Sequence, residues 1–488
     1  MTEPTPTPSS TPGPGRRAGV PTRRIDLLVG LAVALPAVVA VAVMLIGDEQ
    51  NTLAGPQAPT VSPLTSATVV CPSGTGPRST VTLGRVPGVA GGDVDASSTP
   101  LIDPGDRAGD AAGPSQLVEG QSVEVVDAPA AVAGSSGATV LQARGGAAPG
   151  LVAGRGDALA VGECRAPSYD EWLVSVGASA RYATVVELVN PDDGEAVVDL
   201  AIHGGSGMVE EPALRGLQVP PHSVRRVDLS QVAPRGGTFT AHLTVVRGRV
   251  SATAINRIDS LGRGRVTADY LPAVAEPSED GVILGLPQQR TGALLTLANP
   301  GDDEVRVTTR LVTEDAVFTP TGAPEITLAP QGSRSVSLQR LLSQEKAQGV
   351  VGVQLVASAP IVSSLRLQSA GDIVLLAPVP DFRDPTAVVL PTGDKTLVLG
   401  RALRTGVVHV VSHGADGTVL ADERVEVGPG RASRLALPAA GVLVTVEPRN
   451  TSVGGVVTLP RSGSAPGLAT LRLLPANLSA RIPVVAPQ

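Results

Sequence analysis

The residues with most chemical reach are five histidines, two cysteines and two acidic runs. His409 and His413 stand four apart in VVHVVSHGADG. On a helix that spacing places two imidazoles on one face, where they could hold zinc; this run alternates and reads as a strand, so no metal is assigned. His203, His222 and His242 make a zinc site only if the fold brings them together. Each lies in or beside a polar turn or strand edge, which predicts separate surface roles. Asp192-Asp193-Gly194-Glu195 and Asp302-Asp303-Glu304 carry the oxygens that calcium needs, but lack the Asp/Asn ladder and distal Glu of a calcium loop. Each follows Asn-Pro and reads as a turn.

Other motifs fall short for stated reasons. GGSGM (204–208) lacks the spacing of a nucleophile elbow. TGDKT (392–396) has no Gly-rich run before its Lys, and GPGRAS (428–433) is no dinucleotide fingerprint. Arg155-Gly156-Asp157 spells an adhesion tripeptide that chance supplies in a chain with 56 Gly and many Arg and Asp. Trp172 could stack on a sugar, but is expected in a core. No catalytic, cofactor-binding or metal-ligating residue is assigned, and no cofactor is expected. The one assigned pairing is a disulfide between Cys71 and Cys164, two cysteines with no CxxC and no neighbouring His.

The elements that would position these residues repeat along the chain. RYATVVELVNPDDGEAVVDLAIHG (181–204) matches TGALLTLANPGDDEVRVTTRLVTE (291–314). VPPHSVRRVDLSQ (219–231) matches LAPQGSRSVSLQR (328–340). TAHLTVVRGRVSATAINRI (240–258) matches VVGVQLVASAPIVSSLRLQ (350–368), read as a hairpin with a polar or Pro-containing bend. His413 aligns with Asn190 and Asn299. Weaker copies flank these, and Val126, Leu229, Leu338 and Leu437 fall 103, 109 and 99 residues apart. Each unit holds short runs of period-two alternation separated by Gly, Pro, Asn and Asp. The fold class expected is all-β: about four immunoglobulin-like β-sandwich units, 67–166, 167–275, 276–382 and 383–488. Propeller blades, with about 40–50 residues each, are too small for this period. One stretch, SLQRLLSQEKAQG (337–349), could be helical. Cys71 on the first strand of unit one and Cys164 at its end can lie side by side, closing that unit.

Before the units comes a different composition. Residues 27–46 (LLVGLAVALPAVVAVAVMLI) carry no charge, and twelve of the twenty are Leu, Ile or Val. Twenty helical residues span about 30 Å, the thickness of a bilayer's hydrocarbon core. Arg16, Arg17, Arg23 and Arg24 precede the segment, while Asp48 and Glu49 follow it. By the positive-inside rule residues 1–24 form a cytoplasmic, disordered tail, 25–46 a transmembrane helix and 47–66 a linker, with 47–488 outside the cytoplasm. The competing reading is a cleaved signal peptide, whose apolar core is shorter; Thr52-Leu53-Ala54 is the weak cleavage candidate.

Net charge is −7, and only seven residues are aromatic. A chain without a basic surface or stacking platforms is a poor match for nucleic acid. The succession of WLVSVG (172–177), TVVELVNP, VPPHSVRRVDL and the closing hairpin resembles a family of uncharacterised actinobacterial exported proteins. The resemblance covers most of 60–488 and implies one N-terminal membrane helix and a β-rich ectodomain, with no catalytic residues to carry over.

These readings predict a non-enzymatic, membrane-anchored scaffold or binding protein of the cell envelope. Its units would form a rigid extended or bent ectodomain without a deep polar cleft, meeting an envelope protein or glycan. The alternative is an accessory subunit for envelope polysaccharide synthesis or export, beside a membrane glycosyltransferase. A hydrolase with a site assembled across units is a third reading.

Overall fold

Alternation of small apolar and polar residues, with turn residues between, folds this chain into antiparallel strands. The computed structural model describes residues 34–36, 38, 39, 41, 60–75, 79–100, 113–156, 160–259, 261, 262, 265–344, 347–461 and 466–482. The tail 1–24 and most of the apolar segment 27–46 and linker 47–66 lie outside the described residues. Among the described residues no helix is long and apolar enough to cross a membrane. The α-helix described in 62–480 is limited to Leu229–Val232 and Gln339–Leu342, so the stretch 337–349 holds one short helix rather than a long one. The chain is all-β.

The first strand group occupies 66–163. One sheet runs Ser66–Cys71, Thr139–Arg144, Gly92–Ser98, Val118–Val125; the other runs Val161–Glu163, Leu151–Gly156, Thr80–Arg85, Ala130–Val132. The sheets face each other over Val81, Leu83, Val94 and Leu141, all fully buried. Period two explains this: Val81 and Leu83 share one face of their strand. A fourth group, 386–472, likewise has two four-stranded sheets, around Leu397, Val408, Val444 and Val457.

In the second group, 170–271, and the third, 278–376, the sheets join. Strand Gly352–Ser369 is one continuous strand, not the expected hairpin. Its first half pairs with Val305–Val312 and Ser278–Leu284, its second with Thr291–Ala298 and Asp372–Leu376. The switch falls at Ala359-Pro360, where proline lacks the N–H that a ladder requires. In the second group the corresponding chain does break, at the positive-φ Gly248, into Arg235–Arg247 and Ser251–Ile258.

A turn recurs in both joined groups. Asn190 Nδ2 donates to the carbonyls of Gly194, Val219 and Pro220, while its Oδ1 accepts from Asp192 N. Asn299, 109 positions on, donates to Asp303 and Ala329 carbonyls and accepts from Gly301 N. His222 and Gln331, also 109 apart, take positive φ and bond Asp193 and Asp302. His413 Nδ1 bonds Gly417 carbonyl, four residues on, as Asn190 and Asn299 do. A buried Asn in a polar turn thus fixes where the second strand begins.

The four groups close into a ring rather than an extended or bent string. Val70, Ala138 and Val140 of the first pack on Val189 and Val224 of the second. Trp172, Val174 and Val274 pack on Ala298, Val362 and Ala377 of the third. Val282, Leu284 and Val312 of the third meet Val398 and Val456 of the fourth. Val86 of the first closes the circle on Ala387, Val389 and Leu443 of the fourth. At that last seam a Cβ on Gly154 would lie 2.3 Å from the Val389 carbonyl oxygen, so only glycine fits. Residues 62–480 make one compact unit.

Candidate functional site

The connections between successive groups run inward and meet at the ring's centre. There a cavity of about 580 Å³ is lined from the first, third and fourth groups and from the connections on either side of the second, among others by Glu163, Arg165, Ala273, Pro378 and Arg472. Its organising side chain is Arg472, at the end of strand Gly467–Arg472. Arg472 Nε and Nη2 donate to the two Glu163 carboxylate oxygens at 2.7 and 2.8 Å. Nη2 also donates to Ala273 carbonyl, and Nη1 to Pro378 carbonyl. One guanidinium on the fourth group thereby holds the first, second and third. Burial acts to raise the Glu163 carboxyl, but the Arg472 charge and its hydrogen bonds outweigh this and hold it below the ordinary carboxylate range.

A second pair stands beside it. Arg165 forks onto Glu171 at 2.6 and 3.1 Å and reaches Ala252 carbonyl. Between Glu163 and Arg165 sits Cys164, bonded to Cys71 with S–S 2.03 Å. Val70 and Arg165 exchange backbone bonds of 2.8 and 2.9 Å, so the first strand of group one and the chain leaving it do lie side by side. A third buried pair, Glu187 with Arg226, is shared with Ser73 N and Oγ, which ties group one to group two. Ion pairs buried this deep, with their remaining oxygens and N–H groups hydrogen-bonded, compensate the desolvation of their charges.

The residues singled out from sequence scatter over the ring. Among the described residues no group of three or more His, Cys, Asp and Glu is placed to hold a metal. His203 and His242 do come together, around Trp172: His242 stacks on the indole at 3.9 Å between centroids, and His203 lies 5.1 Å away. His203 bonds Gln331 carbonyl and His242 bonds Asp170, while His222 stands apart on Asp193. Trp172 is buried, but in the seam between groups two and three, not inside a unit's core. His409 lies between Asp422 and Glu447. The first acidic turn is occupied by basic partners, Asp192 by Arg249 and Glu195 by Arg247; in the second, Gln331 donates to Asp302 and Arg306 pairs with Glu304. Arg155 is fully buried and bonds Gly137 carbonyl and Thr139, so its tripeptide presents no arginine; Asp157 lies outside the described residues. Lys395 of TGDKT donates to Pro438, Ala439 and Gly441 carbonyls, and burial lowers its pKa to about 8.

A family described as a family of unknown function (DUF5719) matches residues 118–438. The chain belongs to it. The DUF5719 match takes in Glu163, Arg165, Glu171 and both connections that Arg472 grips, while Arg472 and Cys71 lie beyond its ends. No curated protein and no solved structure matches.

The central pairs were missed by sequence reading because Glu163 and Arg472 stand 309 residues apart. The available signal is a charged pair flanking a cysteine in VGECRAPS, where an apolar strand edge has no local reason to carry Glu and Arg.

Proposed function

We propose that this DUF5719 chain is a non-enzymatic scaffold or binding protein of the cell envelope. Residues 25–46 anchor it in the membrane, and the ring lies outside the cytoplasm. The four strand groups are read as tandem immunoglobulin-like units that have packed upon one another. The observation that supports a scaffold most is the centre: Glu163 and Arg472, which line the central cavity, are bound to each other, and Arg472 also to backbone carbonyls. A catalytic carboxylate or base needs a perturbed, available proton site at the substrate. Glu163 is held ionised by Arg472, which suits a lock and not a proton shuttle. The disulfide fits an oxidising compartment.

The test has two parts. In intact cells or spheroplasts, external protease should remove the ring and spare a short N-terminal fragment. Affinity capture of the full chain from detergent-solubilised envelope should return a stoichiometric envelope protein or glycan. Recovery of the protein in the cytosolic fraction, or capture of background only, contradicts the proposal.

A further inference from the structure

A groove runs outward from the central cavity along the seam between the third and fourth groups. Its outer part is a second cavity of about 500 Å³ that shares Asp280, Asp381 and Arg401 with the first. Its floor is the outer face of the third group's sheet. Arg310 pairs in register with Gln354, and Gln354 with Val282. Gln354 Nε2 also donates to Asp280 Oδ1 at 2.8 Å. Two connections of the fourth group form the opposite wall: Arg401-Ala402-Leu403, and Pro429-Gly430-Arg431 with Ser452 behind.

The charges in this groove are not balanced. Arg401 faces Asp381 at 3.1 Å, and Asp280 has Gln354. Arg310 on the floor and Arg431 on the wall facing it both line this groove and have no ion-pair or hydrogen-bond partner among the described residues. Arg401 itself takes φ 56°, a left-handed backbone that costs a non-glycine residue about 1–2 kcal/mol. Such outliers persist where surrounding structure holds them, and they cluster at binding sites. Arg401 is held by Asp381 and Val379 carbonyl. A volume of this size suits a ligand of one or two sugar rings.

We propose that this groove binds a ligand carrying a carboxylate or phosphate beside hydroxyl groups: an acidic saccharide or a sugar phosphate. Arg310 and Arg431 grip the anion, since a guanidinium fork matches both groups in geometry. Gln354, Asp280 and Ser452 meet the neighbouring hydroxyls. Val317, Leu403 and Pro429 supply the apolar rim. The proposal deepens the reading of an envelope-binding scaffold and rests on it for the class of partner.

Calorimetric titration of the full chain tests this with oligogalacturonate, a neutral galactan, glucose 1-phosphate and inorganic phosphate. The expected result is binding of oligogalacturonate or glucose 1-phosphate, which tells uronate from phosphate, with none of neutral galactan. Arg310→Gln and Arg431→Gln should each weaken that binding about tenfold, the size of one charge-assisted hydrogen bond. Both side chains are exposed, so both variants should fold. The proposal is overturned if neither acidic sugar binds, if neutral galactan or inorganic phosphate binds as tightly, or if the double variant binds like the parent. Should capture from envelope still return its partner while no acidic sugar binds, the groove assignment fails and the scaffold reading stands.

Discussion

At the centre of the ring, Arg472 has Glu163 and two connection carbonyls for partners. In the groove a short way out, Arg310 and Arg431 have no such partners among the described residues. The same residue type serves two purposes, separated by burial. A guanidinium in the interior needs partners for its charge, because desolvating a charge without compensation costs several kcal/mol. A guanidinium at a concave surface keeps its water and remains available to an incoming anion. Stability should therefore respond to the centre, and binding to the groove.

The largest effect is expected from Arg472→Leu. It leaves Glu163 buried without its cation and should lower unfolding free energy by about 3–5 kcal/mol in denaturant titration. Glu163→Leu added to it should restore much of that loss, because two apolar side chains leave no orphan charge. If the double variant is as unstable as the sum of the singles, the centre is not a paired lock. Reducing Cys71–Cys164 should cost about 2–4 kcal/mol, read as a lower denaturation midpoint with reductant. No midpoint shift would mean that the bond does not constrain the ring.

Asn190→Ala and Asn299→Ala should each cost about 1–3 kcal/mol, the range for buried carbonyls left without a donor. Equal effects would sharpen the likeness of groups two and three; a null effect at one would break it. A smaller effect comes from Asp269 and Asp372, buried carboxyls facing one another across the seam of those groups. Burial and then the Asp372 charge raise Asp269 well above the ordinary range. Burial raises Asp372 to about 6 against the opposing Arg265 charge. Both pKa values are raised in the folded state, so the native chain holds protons that the unfolded chain releases above pH about 4. Their stabilising contribution is complete below that pH and is lost as pH rises toward 6 and beyond. Asp269→Asn should melt higher than the parent by a margin that widens over this range; a margin that is flat or narrows contradicts the pairing. Least of all, Arg310→Gln and Arg431→Gln should move stability by no more than about 0.5 kcal/mol, as exposed substitutions do.

Much of the fold could be read from local pattern. Strands such as Thr80–Arg85 alternate, Asn190 and Asn299 stand before acidic turns, and the chain's two cysteines bond. What escaped reading depends on distance along the chain. Gly154 looks like any turn glycine until Val389 is brought against it. Trp172 looks like core filling for one unit, and only the seam with Ala298 and Val362 shows its place. Residues 352–369 look like a hairpin because Pro360 interrupts the ladder, yet the strand continues into a second sheet. GPGRAS was set aside as a nucleotide motif, and its Arg431 gained meaning only opposite Arg310. VGECRAPS marks Glu163 as out of place on a strand edge, but nothing in the neighbourhood of Glu163 or Arg472 records the other, 309 positions away.

The central claim is that four strand groups behave as one body, locked where their connections meet. Scanning calorimetry of the full chain reads this directly. One transition whose van't Hoff and calorimetric enthalpies agree is the result this account predicts. Separate transitions for individual strand groups, with Arg472→Leu shifting only the last of them, would contradict it.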